Sequence, residues 1–289
     1  MTAARTHRLP RRHLPRRRLP LQGPVLGLVL GISAALAAPT AQAADEVLRV
    51  HAAGSLRAAL TDVARAFEAT QPGLRVQLVL GASGLLKDRL AAGEPSDVFA
   101  SANMDHPQAL ARAGQAAPPQ RFARNAMCAL ARPGLVLNAD TVTALLLDPA
   151  LKLGTSTPGA DPAGDYAWQV FDRIEANGRP GAAAALKARA LQLTGGPASP
   201  PPPPDRSAYG VLVAQGAADV FVTYCTAAVV AVREQPGLQL QALPEAINVS
   251  ASYGVTVLNG AGPAAQPFVS FLLSAPGQAL LARQGFAPR

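Results

Sequence analysis

Two serines raise the first chemical question in this sequence. Ser55 lies in "VHAAGSLRAALTDVARAFEAT" and Ser83 in "GASGLLKDRLAAGEPSDVFAS", each where a strand-like run gives way to a helix-like one. A serine acts as a nucleophile only beside a base and an oxyanion hole. Neither serine has them. No G-x-S-x-G elbow is present. His7 and His13 lie in the basic N-terminal stretch, His51 reads as a core histidine on a strand, and His106 precedes a proline in an expected loop. The chain is therefore not expected to be an enzyme. What remains is hydrogen bonding. A helix start presents unpaired N–H groups and the positive end of the helix dipole, which suits an anion, and a serine there adds a hydroxyl. Capping its own helix is the other role open to each serine.

The elements that must position them alternate. "VLRVHAAG" reads as a strand, and "SLRAALTDVARAFEAT" as a helix with Leu56, Leu60, Val63 and Phe67 on one face; "LRVQLVLG", "LLKDRLAAG" and "SDVFAS" continue as strand, helix and strand. Such alternation implies a parallel sheet with helices on its faces. From Asn125 the pattern restarts: "AMCALARPG", a helix near "DTVTALLLD", the strand "KLGTST", the helix "DYAWQVFDRIEA" and the strand "ADVFVTYC". Two extended segments in "LQLQALPEAINVSASYGVTVLNG" follow, then the helical "AAQPFVSFLLSAPGQALLARQGF", which is expected to return to the first lobe. The expected fold is α/β and two-lobed, each lobe a mostly parallel sheet flanked by helices. Lobe 1 is residues 44–124 plus 246–289 and lobe 2 is residues 125–245, with the ligand in the hinged cleft.

The first 43 residues stand apart. Seven arginines and no acid occupy residues 1–20, an apolar run follows from Val25 to Ala38, and "AQA" at 41–43 offers small residues for cleavage. This pattern predicts an export signal at 1–43 and a periplasmic mature chain. The run is shorter than the roughly 20 residues that span a bilayer. Without that segment the chain keeps 19 basic against 18 acidic residues. The basic character thus belongs to the signal, and neither nucleic acid nor an anionic membrane is an expected partner. Cys128 and Cys225 would sit in an oxidising compartment, where a bridge between them or two buried thiols are both open. A third distinctive stretch, "GGPASPPPPPDRSAYG", is either a stiff surface loop or a device that holds Asp205, Arg206 and Ser207 at a helix start facing the cleft.

Six blocks, "VHAAGSLRAALTDVARAFE", "GASGLLKDRLAAGEPSDVFASAN", "RNAMCALARPG", "DPAGDYA", "ADVFVTYCTAA" and "SAPGQALLARQGF", resemble in order those of the periplasmic molybdate-binding proteins of ABC transporters. The resemblance covers nearly the whole mature chain. It implies a type II periplasmic solute-binding fold that holds molybdate or tungstate, or a related oxyanion, by neutral donors, with no cofactor and no direct cation ligand. It also implies a monomer that delivers its ligand to a membrane permease. By motif, the implied contacts are Ser55, Ser83, the backbone of Ala163 and the hydroxyl of Tyr224. Eighteen residues before Tyr224 stands Arg206, where the family usually offers the amide of an apolar residue; its side chain either adds a bidentate contact or points to solvent. Asp165, where an apolar residue is common, is expected to pair with Arg206 or to face away. The alternative is another ligand on the same fold: a different oxyanion, or a ferric ion or metal chelate held by Tyr166, Tyr209 and Tyr224 with Asp165 and Asp205.

Overall fold

The computed structural model describes residues 46–201, 203 and 206–289; the expected export signal and Asp205 lie outside the described residues. The first series of elements is β1 (Glu46–Ala53), a 3-10 turn (Gly54–Leu56), α1 (Arg57–Glu68), β2 (Leu74–Gly81), α2 (Ser83–Ala91), β3 (Val98–Ser101), α3 (Asp105–Arg112) and β4 (Gln120–Asn125). The second runs β5 (Met127–Ala131), α4 (Val142–Leu147), β6 (Leu153–Ser156), α5 (Pro162–Ala176), α6 (Ala182–Arg189), β7 (Leu191–Thr194), α7 (Ala208–Ala214), β8 (Val220–Tyr224), α8 (Cys225–Glu234) and β9 (Gln239–Ala242). The chain then closes with β10 (Ala251–Val257), α9 (Ala265–Leu273) and α10 (Ala275–Arg283).

These elements build two five-stranded sheets, ordered β2-β1-β3-β10-β4 and β7-β6-β8-β5-β9. In the first, β1 is parallel to β2 and β3, whereas β10 is antiparallel to β3 and β4. In the second, β6 is parallel to β7 and β8, whereas β5 is antiparallel to β8 and β9. Each sheet therefore joins a parallel half, built by strand-helix-strand units, to antiparallel strands next to the chain crossings. β4 leads into β5 across Ala126 alone, and residues 243–250 carry the chain back from β9 to β10. Asn248 ties the two crossings together. Its Oδ1 accepts from the Met127 amide at 2.9 Å, and its Nδ2 donates to the carbonyls of Met127 and Leu243 at 3.2 and 3.0 Å.

Periodicity explains the packing around the first sheet. α1 buries Ala59, Leu60, Val63, Ala64 and Phe67, the stripe expected of a helix lying on a sheet. Phe67 meets Phe268 of α9 edge-on at 5.4 Å between ring centroids, and α10 packs along α1. The last two helices thus complete the layer that α1 begins. Burying an aromatic ring of this kind contributes about 1.5–3 kcal/mol. In the second half, Cys128 on β5 and Cys225 at the head of α8 form a disulfide. His106 departs from expectation. It lies in the first turn of α3, not in a loop, because Pro107 falls within that turn, where a helix needs no proline N–H.

Candidate functional site

A cavity of about 710 Å³ opens where β1 and β8 end, and Ser55, Asp161, Arg206, Tyr209, Tyr224 and Thr226 contribute to its lining. Strand ends are where open α/β sheets bind ligands, because the chain turns there and exposes backbone and short polar side chains. Ser55 follows β1 in the 3-10 turn, and Tyr224 is the last residue of β8. Part of the wall comes from the proline-rich segment, through Pro197, Pro200, Pro201 and Pro203. Arg57 from α1 and Arg206 from the segment before α7 also reach the cavity.

A chain of hydrogen bonds sets the direction of the hydroxyls. Asn125 Oδ1 accepts from the Ala126 amide at 3.0 Å, which orients the side-chain amide. Its Nδ2 then donates to Thr226 Oγ1 at 2.8 Å and, at a longer 3.4 Å, to the Tyr253 hydroxyl. The Tyr253 oxygen lies 3.0 Å from Ser55 Oγ. With Tyr253 accepting from Asn125 and donating to Ser55, Ser55 keeps its own proton for the cavity, and Thr226 does likewise. Asn125 at the end of β4 therefore primes two donors, one attached to each sheet.

Tyr224 is the third donor. Its side chain is 1 % exposed and its hydroxyl has no hydrogen-bond partner. A buried hydroxyl without a partner costs roughly 1–3 kcal/mol, a cost that a ligand oxygen at this position would remove. Tyr166 and Tyr253 surround it, with ring centroids 6.2 and 5.6 Å away. Burial pushes the Tyr224 phenol well above its ordinary range, and Tyr166 up to about 12, so both remain neutral donors. The hydroxyls of Ser156 and Thr223 are buried close by.

Asp161 brings a charge into this neutral set. It is the N-cap of α5, and its Oδ1 accepts from the Ala163 amide at 3.1 Å. Burial pushes its carboxyl up to about 6; the Ala163 amide and the nearby Ser156 hydroxyl act in the opposite direction. A Cβ at Gly195, where φ is +77°, would run into this carboxylate, so the bare backbone there is what leaves room for Asp161.

Ser55, Arg206 and Tyr224 of the expected set come together in the cavity, whereas Ser83 and Ala163 lie outside its lining. Ser83 is 1 % exposed, and its Oγ accepts from the Ala102 amide at 3.1 Å. The next amide, Gly84, donates to the Ala160 carbonyl at 2.8 Å. That approach leaves no space for a side chain: a Cβ on Gly84 would lie 2.5 Å from the Gly159 oxygen. The turn at 159–160 thus fills the N-terminus of α2, and Asp161 occupies the amide of Ala163. Asp165 accepts from the Gly159 amide at 2.7 Å and so faces that turn; among the described residues it forms no ion pair with Arg206. Arg206 is exposed, and Ser207 beside it caps α7 by accepting from the Gly210 amide. Sequence reasoning missed Tyr253, Thr226 and Asp161. Only Asp161 carried a local signal, the Asp-Pro pair of a helix start.

Two α/β halves joined by two crossings, with a cavity at their strand ends, define a two-lobed binding protein. The chain matches the family model "Bacterial extracellular solute-binding protein" over residues 48–287, and it belongs to that family. It is 35 % identical over 246 residues to Uncharacterized protein PM1146 of Pasteurella multocida, covering 83 % of this chain and 98 % of that one. It is 30 % identical over 245 residues to the Molybdate-binding protein ModA of Mycobacterium tuberculosis, covering 82 % of this chain and 83 % of the relative. Among solved structures, the sulfate-binding protein SubI of Mycobacterium tuberculosis superposes with a TM-score of 0.69 at 20 % identity, over 84 % of this chain and 87 % of that one. No helix among the described residues is long and apolar enough to cross a membrane.

Proposed function

We propose that the protein is the periplasmic ligand-capturing component of an ABC uptake system, and that it holds a small oxyanion in the cavity and delivers it to a membrane permease without chemical change. The observation that carries this reading is the hydroxyl of Tyr224, buried and unpartnered on a residue that lines the cavity together with Ser55 and Thr226. Three neutral hydroxyl donors with Arg206 at the edge suit an anion. Each hydrogen bond to a charged ligand contributes about 1.5–3 kcal/mol. Ser83 and Ala163 would join the site by exchanging their present partners for ligand oxygens, as residues 44–124 plus 246–289 and residues 125–245 move about the crossings as lobes. A monomer suffices for this role. The names of the relatives make molybdate and tungstate the first ligands to try.

A metal-chelate ligand is favoured only by the gathering of Tyr166, Tyr209 and Tyr224. Burial raises all three phenols, which opposes the tyrosinate form that binds ferric ions. Thermal-shift titration with molybdate, tungstate, sulfate, phosphate and ferric citrate tests the choice, since a ligand that binds only the folded state raises the melting temperature by mass action. Stabilisation by one or more oxyanions and none by ferric citrate is expected; the reverse would sink the oxyanion reading.

A further inference from the structure

The cavity holds an acid where the proposed ligand is an anion. Asp161 Oδ1 is committed to the Ala163 amide, and Asp161 contributes to the cavity lining alongside the unpartnered Tyr224 hydroxyl. A carboxylate beside a fully ionised oxyanion is repelled, whereas a carboxylate facing a hydroxyl accepts a charge-assisted hydrogen bond. Sulfate and molybdate carry no proton near neutrality and offer nothing to that oxygen. Monohydrogen phosphate carries one, and so does the hydroxyl of a small 2-hydroxy acid. The cavity of about 710 Å³ has room for either.

We propose that Asp161 is the specificity-determining residue of this site, accepting a hydrogen bond from a ligand that bears an O–H donor next to its negative charge and rejecting tetrahedral oxyanions that bear none. This rests on the oxyanion reading above and narrows it. The groups around Asp161 fit the assignment. Asp165 on the same helix turns to the Gly159 amide; Tyr209 of α7 and Tyr224 of β8 lie near it as neutral phenols; Ser156 of β6 brings a hydroxyl that favours the ionised carboxyl. Arg57, Arg206 and Glu234 are the other charged side chains that line the cavity, and His106 of α3 faces Asp165. Because the Asp161 carboxyl is pushed up to about 6, protonation below that pH converts it from acceptor to donor, and the rejection of sulfate is relieved there.

The test compares the purified protein with Asp161→Asn by calorimetric titration at pH 8 and pH 5, using sulfate, molybdate, inorganic phosphate and lactate. Asn caps a helix as well as Asp, and Asp161→Ser, a second capping substitution, stands in if the Asn variant melts early. At pH 8 the wild type is expected to bind phosphate or lactate at least 100-fold more tightly than sulfate and molybdate. Asp161→Asn is expected to gain at least tenfold for sulfate and molybdate, and the wild type to gain similarly for sulfate at pH 5. Binding of phosphate alone identifies the protonated oxyanion as the source of the donor, and binding of lactate alone the hydroxy acid. Tight molybdate or sulfate binding at pH 8, unchanged by either substitution, overturns the role of Asp161 and leaves the oxyanion reading standing. Failure of every protein to bind any of the four overturns both.

Discussion

Asp161 Oδ1 lies 3.1 Å from the amide nitrogen of Ala163, so a carboxylate of the chain itself closes the N-terminus of α5 at the edge of the cavity. The contact satisfies a helix end, yet it keeps a buried charge beside neutral phenols. Capping favours the ionised carboxyl and desolvation opposes it; desolvation is the larger effect.

That balance predicts a pH-dependent stability. The folded-state pKa of about 6 lies above the ordinary 3.8, so the folded protein binds this proton more tightly than the unfolded chain does. Stability from this group is full below about pH 4 and falls as pH rises to about 6. Asp161→Asn removes the titration and keeps the cap. Urea unfolding at pH 8 is expected to show the variant more stable by about 1–2 kcal/mol, with the gain fading by pH 4. A variant less stable than the wild type at pH 8 would mean that the cap requires the charge.

Tyr224→Phe separates binding from folding. Its hydroxyl has no protein partner, so its loss leaves no other group unsatisfied. Thermal melts are expected to show equal or slightly higher stability, by up to about 1 kcal/mol, while affinity for the stabilising oxyanion falls about 10- to 100-fold. A large drop in melting temperature would instead assign Tyr224 to the core alone.

Reduction of Cys128–Cys225 reaches the site through its neighbour. The bridge spans 97 positions of sequence and anchors the residue next to Tyr224. Closing a loop of this length contributes roughly 2–5 kcal/mol. Reduced protein, or the double Cys→Ala variant, is expected to unfold at lower urea and to bind ligand more weakly well below its melting temperature. Equal affinity after confirmed reduction would show that β8 holds Tyr224 without the bridge.

How much was legible in the sequence depends on the range of the interaction. The Leu60, Val63 and Phe67 stripe of α1 and the β1-to-α1 junction at Ser55 are local patterns, and the structure has them where spacing puts them. α6 and α8 carry weak patterns, Ala-rich in one and apolar nearly all round in the other, which give spacing little to show. The proline after His106 suggests a loop, whereas a proline in the first helical turn is compatible with a helix.

The sequence by itself determined the α/β alternation and the junctions from which donors arise, because strand and helix periods and helix-end chemistry act within a few residues. Only the tertiary structure decided which donors meet. Ser55 and Tyr253 are 198 positions apart, and Asn125 and Thr226 are 101 apart. The turn at 159–160 fills the end of α2 only because the two halves fold against each other. Hydrogen bonds across such separations follow from how the sheets pack, and no local pattern of residue types encodes that packing.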